Sequence, residues 1–278
     1  LNPGSQSFTA ACVQVNAGND LNSNIDSAVR GIAQAGSDGA DLVALPENVA
    51  MMPGSRAEAI QHAADVADHP AVQAFQSAAR TAGVWVLAGT VGVPAVDDRM
   101  ASRSLLIAPD GTVNAQYDKI HMFDADPGDA KPYRESETYH PGSEAVLATL
   151  PWLKMGMTVC YDVRFPGLYR QLAQAGAGML AVPSAFTETT GQAHWHVLLR
   201  ARAIENACFV IAPAQCGSHP GDRRTYGHSM IIDPWGEVLA EAAEEPAIIS
   251  ATIDTALIAK ARTRIPALGH DKNFVVRS

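Results

Sequence analysis

Short runs of apolar, β-prone residues recur along the chain between amphipathic helical patterns, and this alternation confines it to a layered α/β fold. Residues 8–15 read as a first strand. Residues 21–35 read as a helix with Ile25, Val29 and Ile32 on one face, and 41–45 as a second strand. A helical pattern over 57–82 breaks near His69-Pro70, and 84–93 reads as a third strand. Asp110-Gly111 marks a hairpin turn between 105–109 and 113–117. The segment 121–142 has little periodicity, and unpatterned stretches of that length are usually functional or disordered.

The second half repeats the plan. Strands are expected over 156–160, 179–183, 208–214 and 247–253, and helices over 168–175, 193–206 and 255–262. A hairpin joins 230–233 to 238–242 through Pro234-Trp235-Gly236. No linker separates the halves. The expectation is one domain over 8–266 made of two similar α/β halves, with 1–7 and 267–278 as terminal extensions.

Composition narrows the function classes. With 278 residues, 47% hydrophobic and 18% charged, the chain can bury a large core. Its 29 acids against 20 bases, with no Lys/Arg run, argue against nucleic-acid or anionic-membrane binding. No apolar run approaches the ~18 residues of a membrane span, and residues 1–7 lack the basic and apolar regions of a signal peptide. Cys12, Cys160, Cys208 and Cys216 are scattered, with no C-x-x-C pair. A reduced, cytoplasmic setting fits them better than a disulfide framework.

Three residues stand at the ends of apolar strands. Cys160 follows 154–159 and precedes a turn into a helix, where backbone N–H groups favour a thiolate and can hold an oxyanion. Glu47 follows Leu42-Val-Ala-Leu-Pro46, where partial burial would raise its pKa for proton transfer. Lys119 follows the first hairpin and could stabilise an oxyanion. Taken singly, each has a plainer reading as a buried structural cysteine, a loop acid and a solvated lysine. Other patterns fail. Gly176-Ala-Gly178 enters a strand instead of leaving one, and His194 and His196, at i and i+2, do not share a helix face. Cys208 and Cys216 complete no zinc pattern.

Together the three motifs are more specific. Leu45-Pro46-Glu47, Asp118-Lys119-Ile120-His121 and Val159-Cys160-Tyr161-Asp162-Val163-Arg164-Phe165-Pro166 occur in this order, with Glu47, Lys119 and Cys160 spaced 72 and 41 residues apart. The chain thereby resembles the nitrilase superfamily of carbon–nitrogen hydrolases, from the first strand to about Pro266, and within it the Nit-type amidases. Tyr226-Gly227-His228-Ser229 and Asp233-Pro234-Trp235-Gly236-Glu237 carry the same likeness. The resemblance implies an αββα sandwich that dimerises through its helical layers, a Glu47–Lys119–Cys160 triad, and Glu135 as a second active-site glutamate. Two positions depart from the pattern. His196 stands where this branch usually has Glu, and the tail after Pro266 lacks the usual arginine-rich ending.

What the resemblance implies chemically follows from the residue types. Glu47 would take the Cys160 proton, and the thiolate would attack an amide carbonyl. Lys119 and the Tyr161 N–H would hold the oxyanion, ammonia would leave, and water would release the acid from a thioester. Glu135 would orient Lys119 or the substrate. No metal or organic cofactor is required. The expected substrate is a small carboxylate-bearing amide, either deaminated glutathione or a 2-oxo acid ω-amide. Arg164 is the carboxylate anchor and Phe186, Thr187 and Thr190 complete the pocket. N-carbamoyl compounds, other aliphatic amides and nitriles are alternatives, as is a redox-sensing thiol protein of another class. A homodimer is expected, with no nucleic-acid or membrane partner.

Overall fold

A computed structural model describes residues 7–129 and 131–277. Most of the expected terminal extension 1–7 lies outside the described residues. The first half runs β1 (Ser7–Gln14), α1 (Leu21–Ser37), β2 (Leu42–Leu45), α2 (Arg56–Gln61), α3 (Pro70–Ala82), β3 (Trp85–Ala88), β4 (Val91–Pro94), β5 (Met100–Ile107) and β6 (Val113–Asp118). The short strands β7 (Asp124–Ala125) and β8 (Tyr133–Arg134) follow. The second half runs β9 (Val146–Thr149), β10 (Lys154–Met157), α4 (Pro166–Gln174), β11 (Ala177–Ala181), α5 (Glu188–Asn206) and β12 (Phe209–Ala212). It ends with β13 (Cys216–His219), β14 (Arg223–Tyr226), β15 (Met230–Ile232), β16 (Val238–Glu241), β17 (Ala247–Asp254) and α6 (Ala256–Arg264).

Two sheets organise these elements. One has the order β17-β1-β2-β3-β5-β4, with β6 also on β5, and the other has the order β16-β15-β12-β11-β10-β9. Each has a parallel centre, β1–β2–β3 in one and β10–β11–β12 in the other. Residue alternation explains the stacking. Ala10 and Cys12 of β1 and Leu42 and Ala44 of β2 share a core with Met155, Met157, Met179 and Ala181 of the facing sheet. The residues between them, Ala11, Val13, Val43 and Leu45, pack with Ile32 of α1 and Phe75 of α3. Tyr169 and Leu172 of α4 and Trp195 and Leu199 of α5 cover the second sheet. The result is the expected four-layer αββα sandwich. Both faces of its central strands are dry, so they read as continuous apolar runs.

Several boundaries differ from expectation for local reasons. The run 84–93 is two strands, broken at Gly89, whose φ is +31° and where a Cβ would collide with the Pro46 carbonyl. Both pieces pair with β5. The 57–82 helix divides into α2 and α3, the latter opened by His69, whose ring accepts the Ala71 N–H, and by Pro70. The expected loop before Met230 contains the β13–β14 ribbon. Helix α5 starts earlier than expected because the Thr187 hydroxyl accepts the Thr190 N–H. Among the described residues no helix is long and apolar enough to cross a membrane.

His69 and His219 are buried and held neutral, their pKa values pushed down to about 4 by burial, with His62 adding to the effect on His69 and Arg223 to that on His219. The unfolded chain protonates both near pH 6.5, whereas the folded chain does not until about pH 4. Folding stability is therefore expected to fall as pH drops through this window, by about 1 kcal/mol per histidine at pH 5.5. Urea unfolding of His69→Gln and His219→Gln between pH 7.5 and 5.5 should show a shallower pH slope than the parent chain. Equal slopes would refute the assignment.

Candidate active site

Glu47, Lys119 and Cys160 leave strands β2, β6 and β10 at their carboxyl ends, where open α/β sheets place their sites. Lys119 Nζ lies 2.8 Å from Glu47 Oε1 and 2.7 and 2.9 Å from the two oxygens of Glu135. The second Glu47 oxygen accepts the Ala185 N–H at 2.8 Å, and its backbone carbonyl accepts Gln215 Nε2 at 3.0 Å. Glu135 arrives from the aperiodic segment, which folds back through the β7–β8 pair into a 3₁₀ turn. There its Oε2 accepts the Phe123 N–H at 2.5 Å. The plainer readings of Glu47 as a loop acid and Lys119 as a solvated lysine are thereby overturned: both are buried.

Cys160 lies past the end of β10, not within a strand as expected, and opens a 3₁₀ turn over Cys160–Arg164 with φ +48°. Its N–H donates to the Pro183 carbonyl at 3.0 Å. Asp162, fully buried, fixes this turn against the end of β6. Its oxygens accept the Val159 N–H at 2.8 Å, the Tyr117 hydroxyl at 2.7 Å and the His121 N–H at 3.1 Å. His121 Nδ1 lies 2.7 Å from the same carboxylate, and its ring stacks on Phe165 with centroids 3.5 Å apart. One carboxylate thus couples the lysine segment to the cysteine turn.

The electrostatics revise two expectations. Burial pushes the Glu47 carboxyl up, but the Lys119 ammonium, helped by Arg223 and a hydrogen bond from the Cys160 thiol, outweighs it and holds the group below its ordinary range. Burial also opposes the charge on Lys119, yet Glu135, Glu47 and Cys160 raise its pKa well above normal. Glu135 is raised, by burial and by the Glu47 charge, against the pull of Lys119. The Cys160 thiol is pushed up as well, by burial and then by Glu47. The expectation that its turn favours a resting thiolate is therefore overturned, because burial, and then the Glu47 carboxylate, outweighs Lys119.

The four groups open on a cavity of about 480 Å³, which Tyr161, Arg164, Phe186, Thr187 and Thr190 also line. Thr187 and Thr190 join their hydroxyls at 2.7 Å at the start of α5. Among the described residues Arg164 meets no acid. Its Nη1 lies 3.2 Å from His194 Nδ1, and its guanidinium sits 5.1 Å from the Phe186 ring centroid. His196 is not part of this lining. Its Nε2 lies 2.8 Å from Glu241, which His228 also contacts at 2.7 Å, on the outer side of α5.

The match to known families accords with this geometry. The family model described as carbon–nitrogen hydrolase matches residues 9–263. The chain belongs to the carbon–nitrogen hydrolase family. It is 40% identical to a protein of Yersinia enterocolitica named deaminated glutathione amidase, over 94% of this chain and 92% of that one. A protein of the same name from Synechocystis sp. is 42% identical, over 95% and 97%. Among solved structures, Saccharomyces cerevisiae Nit3, a member of branch 10 of the nitrilase superfamily, superposes with a TM-score of 0.85 at 29% identity, over 94% of this chain and 95% of that one. The nitrilase-superfamily resemblance and the αββα fold are both borne out.

Sequence reasoning passed over three groups of this hydrolase. Asp162 was visible inside the cysteine motif, and an acid two residues beyond a buried cysteine is itself a signal. The Ala185 N–H and Arg223 carried none: one is backbone, and the other lies in a stretch read as loop. The raised thiol pKa yields a direct test. The ultraviolet thiolate absorbance lost in Cys160→Ala should be absent at neutral pH and should not develop below about pH 9. A thiolate already present at pH 7 would refute the electrostatic picture.

Proposed function

We propose that the chain is an amidase that cleaves a small, carboxylate-bearing amide through a thioester on Cys160. The convergence of Glu47, Lys119, Glu135 and Cys160 on one cavity carries this reading. Glu47 takes the thiol proton as the sulfur attacks the carbonyl carbon. The oxyanion forms against the Lys119 ammonium and the Tyr161 N–H. As Glu47 becomes protonated its hold on Lys119 weakens, freeing the ammonium for the oxyanion at the moment charge develops. The intermediate collapses with cleavage of the C–N bond, and Glu47 returns the proton to the departing nitrogen. Glu47 then deprotonates water, which attacks the thioester. The acid leaves and the proton returns to sulfur. A primary amide frees ammonia, whereas a substituted amide frees its amine, so acid formation is the readout common to both.

The substrate class follows from charge. Arg56, Lys119, Arg134, Arg164 and Arg223 line the cavity with three carboxylates, Glu47, Glu135 and Glu137. A cationic pocket in a chain of net charge −9 selects an anionic ligand. Deaminated glutathione, the substrate in the names of the bacterial relatives, and 2-oxo acid ω-amides both satisfy this. A raised, buried thiol argues against the redox-sensor alternative, which needs an accessible thiolate. We further infer a homodimer seated on α5 and the β15–β16 hairpin, where Val197, Ile204 and Trp235 stand exposed.

Acid formation from deaminated glutathione, 2-oxoglutaramate, an N-carbamoyl amino acid and a nitrile tests the reading. Selective turnover of one of the first two is expected. Cys160→Ala should lose at least ~10⁴-fold in kcat and Glu47→Gln about 10³-fold, with unchanged far-ultraviolet circular dichroism. Substantial hydrolysis by folded Cys160→Ala would rule out the thioester.

A further inference from the structure

Among the described residues Arg223 is a half-buried cation of the cavity wall with no ion pair and a buried Nε that has no partner. Lys119 is shared between two carboxylates, and Arg164 rests on His194 and Phe186. Arg56 and Arg134 are exposed to solvent. Arg223 is half-buried and has no ion pair among the described residues. Its Nη2 donates to the Ala185 carbonyl at 2.8 Å, its one hydrogen bond among the described residues, and its guanidinium carbon lies 5.8 Å from the Tyr133 ring centroid. Its Nε is buried without a partner. A guanidinium in that state carries a desolvation cost that a bound carboxylate would relieve through two parallel N–H···O bonds.

The protein holds this side chain in place. Arg223 opens β14, directly after Gly221 and Asp222, both at positive φ. The ribbon that carries it is pinned by His219, whose Nδ1 donates to the Ala17 carbonyl at 2.8 Å and whose Nε2 lies 2.6 Å from the Thr225 hydroxyl. The Tyr226 N–H donates to the Phe186 carbonyl at 3.0 Å, tying the ribbon to the segment before α5. An arginine so constrained offers a fixed fork and loses little freedom on binding.

Ala185 sets the spacing. Its N–H donates to the Glu47 carboxylate and its carbonyl accepts from Arg223. The base and the free cation therefore lie on either side of a single residue, and Arg223 contributes to the field at Glu47.

We infer that Arg223 is the carboxylate anchor of the substrate pocket, selecting amides whose carboxylate lies only a few atoms from the scissile carbonyl, such as monoamides of short dicarboxylic or 2-oxo dicarboxylic acids. This rests on the amidase reading of the same site. It assigns the anchoring role to Arg223 in place of Arg164, whose guanidinium contacts His194 and, among the described residues, has no buried nitrogen without a partner.

Two measurements test it. In the first, kcat/KM is compared for a short dicarboxylic acid monoamide and for its methyl ester, which removes the charge and keeps the amide. The parent enzyme should prefer the acid. In Arg223→Met that preference should fall by about 30- to 100-fold, mainly through KM, with partial recovery in Arg223→Lys. In the second, calorimetry follows binding of the free dicarboxylate to Cys160→Ala and to Cys160→Ala/Arg223→Met. The second substitution should weaken binding by a similar factor. An unchanged acid-over-ester ratio together with unchanged dicarboxylate binding would overturn the anchor. Absence of turnover for either amide in the parent enzyme, with Arg223-dependent dicarboxylate binding intact, would instead count against the amidase reading and leave the anchor standing.

Discussion

One buried ammonium held between two carboxylates governs the rest of this structure. Removing Lys119, Glu47 and Glu135 from water costs several kcal/mol per ion unless each is closely paired. The surrounding chain is arranged to meet that requirement. Glu47 receives the Ala185 N–H, Glu135 receives the Phe123 N–H, and the aperiodic segment folds back to deliver Glu135. Burial, and after it the Glu47 charge, keeps the Cys160 proton on sulfur, and the Arg223 charge helps to hold Glu47 ionised.

The site also straddles the two sheets. Glu47 and Lys119 extend from the first, Cys160 and Ala185 from beyond strands of the second. Their spacing is set by the side chains between the sheets, where close packing resists both collapse and expansion. Asp162 adds a polar tie across the same gap, gathering the end of β6 and the cysteine turn. Substrate geometry is thus fixed by core packing as much as by residues that touch substrate. A catalytic group displaced by about 1 Å loses much of its advantage, which explains why so much of the core converges on one edge.

Much of the architecture was legible because it depends on local rules. Strands covered on both faces leave continuous apolar runs, so β1, β2 and β11 announced themselves. The three strand-end residues could be picked out, since functional groups in parallel sheets collect at carboxyl ends. Long-range effects were not legible. The break at Gly89 depends on the Pro46 carbonyl, which belongs to another strand end. The β13–β14 ribbon is held by buried contacts of His219 and not by apolar alternation, so it resembled a loop. The direction at Glu47 depends on Lys119, a partner distant in sequence that outweighs burial, whereas at Cys160 burial is itself the largest cause and the depth of the turn is set by the packed fold.

The raised thiol pKa and the nucleophilic role proposed for Cys160 are compatible because the proton acceptor is already in place. A standing thiolate would react with any small electrophile that entered the cavity and would be open to oxidation. A protonated sulfur beside an ionised Glu47 stores the nucleophile in a protected form. Deprotonation becomes favourable only when the negative charge can pass onward to a carbonyl oxygen held by Lys119. Glu47 is then neutral, having taken the proton, and Lys119 exchanges a carboxylate for an oxyanion of like charge. The total charge of the buried cluster is unchanged through the step, so little solvent reorganisation is required. In the proposed mechanism amide cleavage thus depends on coupling sulfur ionisation to the oxyanion, not on the intrinsic reactivity of the cysteine.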